Sequence, residues 1–137
     1  MNTFAKQYQQ VGTSSEIESA DPHRLIQMLI DGAISRLVVA KAMMERRDLA
    51  KKGENVSMAI SIIGGLQASL DMNKGGEIAA SLSALYDYMN MKLAQANANN
   101  DPSGVDEVIS LMRTIKEGWD GIREKARAKE ANSSEIR

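Results

Sequence analysis

Three observations in the sequence predict an all-α fold, an antiparallel up-down four-helix bundle with a short N-terminal segment or helix packed on it. Four stretches repeat apolar residues at three-four spacing, the period of one helix face. Asp21-Pro22, Asp101-Pro102 and the breaker Asn73-Lys74-Gly75-Gly76 separate stretches of that pattern. No segment has the alternating, β-branched pattern of a strand. Helix on this reading covers roughly two thirds of the chain, about twice the average share.

At 137 residues the chain reads as one domain with its own core. The expected organisation is a mobile N-terminal segment over 1–20, a bundle over 21–130 and a disordered tail over 131–137. Seventeen basic against eighteen acidic residues leave a net charge of -1, which points to neither nucleic acid nor an anionic membrane as partner. The absence of cysteine removes disulfides and thiolate zinc sites and fits a reducing compartment. MNTFAKQYQQ lacks the apolar run of a secretory signal, and no stretch approaches the ~20 apolar residues of a membrane span. A soluble, cytosolic protein is the expectation.

Phe4, Tyr8 and Val11 lie at helical spacing, but Gly12-Thr13-Ser14-Ser15 breaks the segment, so a docked short helix and a frayed terminus are both open. Asp21 as N-cap and Pro22 at the first helical position start the first bundle helix. Its apolar positions, from Leu25, Ile26 and Met28 to Leu37, Val38 and Ala40, are wider than one stripe. Either the helix is central or a strip of it is covered by something else. Gly32 inside it costs ~1 kcal/mol against Ala and suggests a close neighbour. The pattern fades at Glu45-Arg46-Arg47-Asp48.

The second helix is expected to begin near Lys51–Glu54, after a break around Gly53. Its seam is Val56, Ala59, Ile63, Leu66 and Leu70, flanked by Ile60 and Ile62. Gly64-Gly65 in its interior reads as tight helix packing, with a shallow floor for a guest segment as the alternative. The third helix carries Ile78, Leu82, Leu85, Met89 and Leu93, with Tyr86 and Tyr88 forming an aromatic shoulder beside that seam. The fourth has the most regular seam: Val105, Val108, Met112, Ile115, Trp119, Ile122 and Ala126. Gly118 and Gly121 flank Trp119 and leave space for a ring or a close neighbour. Beyond Arg123 the residues turn to interleaved charge, the mark of a solvated helix face.

Catalytic chemistry is hard to find. The single histidine, His23, falls in a first turn where exposure is expected, and no Glu-x-x-His pair of the di-metal bundle type occurs. Asp71, Glu77 and Asp87 have no histidine companion, and Gly75-Gly76-Glu77 lacks the frame of a phosphate loop. No enzyme activity, cofactor or metal is expected. What remains is binding surface. Nine methionines against one phenylalanine suit a surface that accepts a variable apolar guest, although gap-filling in the core explains any single one.

The chain resembles the flagellar secretion chaperone family, the cytosolic export chaperones of flagellin, from about Tyr8 to Trp119. The likeness rests on Asp21-Pro22-His23-Arg24-Leu25-Ile26-Gln27-Met28-Leu29, Asp31-Gly32-Ala33, Lys52-Gly53-Glu54, Ile62-Ile63, Leu66 and Leu70-Asp71. Gly75-Gly76-Glu77-Ile78-Ala79, Leu82, Leu85-Tyr86-Asp87-Tyr88-Met89, Leu93, Ala96-Asn97 and Trp119 complete it. Ile30 departs from the aromatic residue common before Asp-Gly, a difference expected to alter guest affinity without changing the role. The resemblance implies a non-enzymatic bundle that binds the disordered C-terminal segment of flagellin. That binding prevents premature polymerisation and assists delivery to the flagellar type III export gate. It also implies an N-terminal segment able to cover the apolar groove, and in some members an anti-sigma factor or an export-gate component as further partners. Tyr8 would be the movable anchor. Leu25, Met28, Leu29, Ile63, Leu66, Leu85, Tyr88 and Met89 are candidate groove walls, several of which must be plain core. A homo-oligomeric structural or adaptor bundle, such as a homodimer burying the surplus apolar face, is the alternative.

Overall fold

The computed structural model describes residues 21–136, with side chains described up to Ile122. Four helices follow one another: α1 (Pro22–Glu45), α2 (Leu49–Ala68), α3 (Gly76–Asn99) and α4 (Pro102–Ile136). Each packs on two neighbours, α1 and α3 both lying between α2 and α4, so the arrangement is an antiparallel up-down bundle.

The ends of the helices follow from local chemistry. Asp21 accepts from the Arg24 N–H at 2.7 Å and Pro22 opens α1. Arg47 then takes a left-handed φ of 58° and turns the chain. Asp48 caps α2 by accepting from the Lys51 N–H at 3.1 Å, which starts that helix at Leu49 and leaves Gly53 inside it. The expected start at 51–54 is therefore corrected: the Asp48 cap outweighs the glycine. Between α2 and α3, Asp71 Oδ1 accepts from the N–H groups of Asn73 and Lys74. The chain enters α3 through Gly75 and Gly76, the latter at φ +52°. A Cβ on Gly75 would stand 2.6 Å from the Ala79 Cβ and 2.8 Å from the Asp71 carbonyl oxygen, so this corner needs glycine. Asn100 ends α3 in the left-handed region, and its Nδ2 donates to the Met44 carbonyl at the end of α1.

The core runs through all four helices. Leu37, Ile62, Ile63, Met89, Leu93 and Met112 are wholly buried, and each such side chain contributes about 1.5–3 kcal/mol relative to exposure. The broad apolar face of α1 is buried only in part. Met28, Leu29, Ile30, Ala33 and Leu37 are covered, while Val38 and Val39 stay exposed. Gly32 is buried. The space beside Gly64 is open, so the tight-packing reading does not hold at that residue. Gly118 and Gly121 are likewise open rather than pressed by a neighbour. Close approach occurs instead at Gly104, where a Cβ would lie 2.9 Å from the Ala96 Cβ.

The seam of α3 is rotated from the expected one. Ala79, Tyr86, Met89, Leu93 and Ala96 are buried, whereas Leu85 is half-buried and Ile78 is 75% exposed. On α4 the spacing is as expected, but burial falls along the helix. Val105, Val108 and Met112 are sealed, Ile115 and Trp119 half-buried, and Ile122 is 56% exposed. The reason is geometric: α1 begins at Pro22, beside Trp119, while α4 continues to Ile136. The helix thus runs beyond residue 130, where the sequence reading ended the bundle.

Candidate functional site

The half of the bundle where α1 and α3 begin, and α2 ends, contains a partly open cavity of about 250 Å³. All four helices reach it. Ile26 and Ile30 come from α1, Leu66 from α2 with Leu70 beyond it, Leu82 and Tyr86 from α3, Ile115 and Trp119 from α4. Ser69 and Asp71 add a polar rim at the α2–α3 connection. Leu82 also belongs to a shallow trough along α3 with Glu77, Ile78, Ser81 and Leu85. Cavity and trough together make an apolar track from the bundle interior to the outside of α3. Burial pushes the Tyr86 phenol above its ordinary value, as expected for a hydroxyl removed from water.

Polar contacts hold the walls unequally. Around the cavity, α4 is tied to α1. The Gln27 amide donates to Asp120 at 2.5 Å, Lys116 pairs with Asp31 at 2.6 Å, and His23 stacks on Trp119. The described contacts between α3 and α4 side chains lie in the other half of the bundle, where Tyr88 and Lys92 both reach Glu107. The Tyr88 phenol is held above its usual value chiefly by that hydrogen bond. Along the cavity the α3–α4 seam is closed by apolar contact alone among the described residues.

The candidate residues from the sequence fall in different places. Tyr8, with Phe4 and Val11, lies outside the described residues. Met28, Leu29, Ile63 and Met89 are buried core and line neither cavity nor trough. Leu66 is buried too, yet reaches the cavity. Leu25 is half-buried against the core, and Leu85 lines the trough. Tyr88 is 37% exposed on the α4 side of α3, bonded to Glu107 and away from the cavity. Of the two tyrosines, Tyr86 lines the cavity. Its position three before Met89 and seven before Leu93 was the available signal, because those intervals keep a side chain on one helix face.

His23 corrects a second expectation. It is half-buried, its ring 4.6 Å from the Trp119 ring and 10° from parallel. Its Nε2 donates to the Trp119 carbonyl at 2.8 Å, and the Trp119 indole N–H donates to the His23 carbonyl at 3.0 Å. Asp87 is also engaged, accepting from the Gln67 amide at 2.9 Å. Among the described residues no group of three or more His, Cys, Asp or Glu is placed to hold a metal ion. No described helix is long and apolar enough to cross a membrane.

Comparison with known proteins places the arrangement in a family. The family model described as flagellar protein FliS matches residues 4–126. The flagellar secretion chaperone FliS of Salmonella typhimurium is 50% identical over 127 residues, covering 92% of this chain and 94% of that protein. FliSB of Pseudomonas aeruginosa, also a flagellar secretion chaperone, is 49% identical, covering 85% and 93%. The Bacillus subtilis FliS is 33% identical over 77% of each chain. An apolar bundle matched over nearly its whole length at these identities leaves one assignment: the chain belongs to the FliS family of flagellar secretion chaperones.

Proposed function

We propose that the protein is an export chaperone that binds the disordered C-terminal segment of flagellin in the bacterial cytosol. It prevents premature polymerisation and assists delivery of the subunit to the flagellar type III export gate. It acts by binding, without enzymatic turnover. The observation that carries this reading is the apolar track joining the cavity to the exposed α3 trough at Ile78, Leu82 and Leu85. A guest with few stable contacts of its own gains by laying an amphipathic helix along such a track. The ordering of its chain subtracts from the contact energy, so release at the export apparatus stays accessible.

The N-terminal segment is the natural cover for the same track when no client is bound, with Tyr8 as its anchor and Phe4 and Val11 behind it. Calorimetric titration of the full chain with a flagellin C-terminal peptide tests the reading. Saturable one-to-one binding, weakened by Tyr8→Ala while far-ultraviolet helicity is unchanged, is expected; unchanged affinity would count against a role for Tyr8. Absence of heat and of co-purifying flagellin from a motile host would refute it.

A further inference from the structure

We infer that His23 is a positioning residue for the cavity: it fixes the plane of the Trp119 ring that forms the α4 wall, and so sets how firmly an apolar segment is held. This rests on the reading of the cavity as the client site. Three contacts define the pair, the stacked rings and the two hydrogen bonds running in opposite directions between α1 and α4. A carbonyl oxygen only accepts, so His23 Nε2 carries the proton in this arrangement. Stacking joins the two rings face to face, and each hydrogen bond pins the edge of one ring to the backbone carbonyl of the other residue.

Two of its described neighbours on α4 give the indole no support. Gly118 and Gly121 have no side chains, and the space where theirs would stand is open. Without the imidazole the indole keeps its bond to the residue 23 carbonyl but loses the ring against its face, and tilts about its two side-chain torsions, into the 250 Å³ cavity or out toward solvent. Either movement changes the wall that a client meets. His23 itself is held by the first turn of α1, whose N-terminus Asp21 caps. The imidazole thus transmits the placement of one helix terminus to a ring on another helix.

Trp119 is the only tryptophan in the chain, so its fluorescence reports the ring directly. The test compares wild type with His23→Ala, His23→Phe (ring kept, donor lost) and His23→Gln (donor kept, ring lost), all in the full chain. For His23→Ala we expect retained helicity, a red-shifted Trp119 emission and a roughly tenfold weaker flagellin-peptide Kd, the ratio that 1.4 kcal/mol represents. His23→Phe should restore both signals more fully than His23→Gln. If His23→Ala fails to fold, the ranking of Phe above Gln decides. Unchanged affinity in His23→Ala, an emission shift without an affinity change, or Gln binding at least as well as Phe overturns the inference. Should wild type bind no flagellin peptide, the functional reading fails separately. Anilinonaphthalene sulfonate, an apolar dye for the cavity, then decides: weaker dye uptake by His23→Ala supports positioning by His23, and equal uptake overturns it.

Discussion

The two halves of the bundle are built from the same four helices and packed to different standards. Where α1 and α3 end, small residues bring the backbones together: Ala40 and Ala96 are buried, and Gly104 lies hard against Ala96. Leu93, Val105 and Val108 fill what is left with no exposure. Where α1 and α3 begin, Ile26, Leu82 and Ile115 are only half-buried around an open cavity. Dense packing strongly resists change in side-chain volume, while a loose apolar wall can admit a guest. The molecule is therefore densely packed in one half and left open in the other.

The largest expected effect breaks the dense half. Leu93→Ala should cost about 3 kcal/mol of stability by urea denaturation, through lost transfer energy plus a cavity. The peptide affinity of the remaining folded fraction should be unchanged. Gly104→Ala should cost ~1–2 kcal/mol, since the new methyl meets another Cβ on a helix that cannot easily retreat. Gly64→Ala, in open space within α2, should instead stabilise by up to ~1 kcal/mol through helix propensity. Equal effects of the two glycine changes would erase the contrast between packed and open sites.

On the loose side, Ile78→Ser should leave stability within ~0.5 kcal/mol, because the side chain is exposed, while weakening flagellin-peptide binding in calorimetry. The smallest effect concerns the Asp31–Lys116 pair. The hydrogen bond to Asp31, then its charge, holds the Lys116 ammonium above the ordinary lysine value. The stabilisation is present below that ordinary value and is lost as pH rises through the raised one. Both groups are substantially exposed, so the loss should stay under ~0.5 kcal/mol as urea midpoints are followed into the alkaline range.

Helix number and order were legible in the sequence because caps and periodicity are local: Asp21-Pro22 and Asp101-Pro102 announce their helices without reference to anything distant. The dense half was legible for the same reason, since Val105, Val108 and Met112 keep their spacing and find partners. The cavity was not. Ile115 and Trp119 continue that spacing and yet emerge toward solvent, because burial depends on where α1 begins, which no periodicity in α4 records. The His23–Trp119 contact spans 96 positions and leaves no mark on either segment alone. Leu85 and Tyr86 are adjacent, and choosing which faced inward required a helix phase that one extra apolar residue in the window had blurred.

The clasp between His23 and Trp119 joins the first described helix to the last. A nascent chain emerging from the ribosome has α1 and α2 available early, but the indole arrives only after most of the polypeptide has been made. Local contacts within the leading hairpin can form first, and closure across so long a loop comes late. The cavity therefore has all four of its walls only once Trp119 has been made and has met His23.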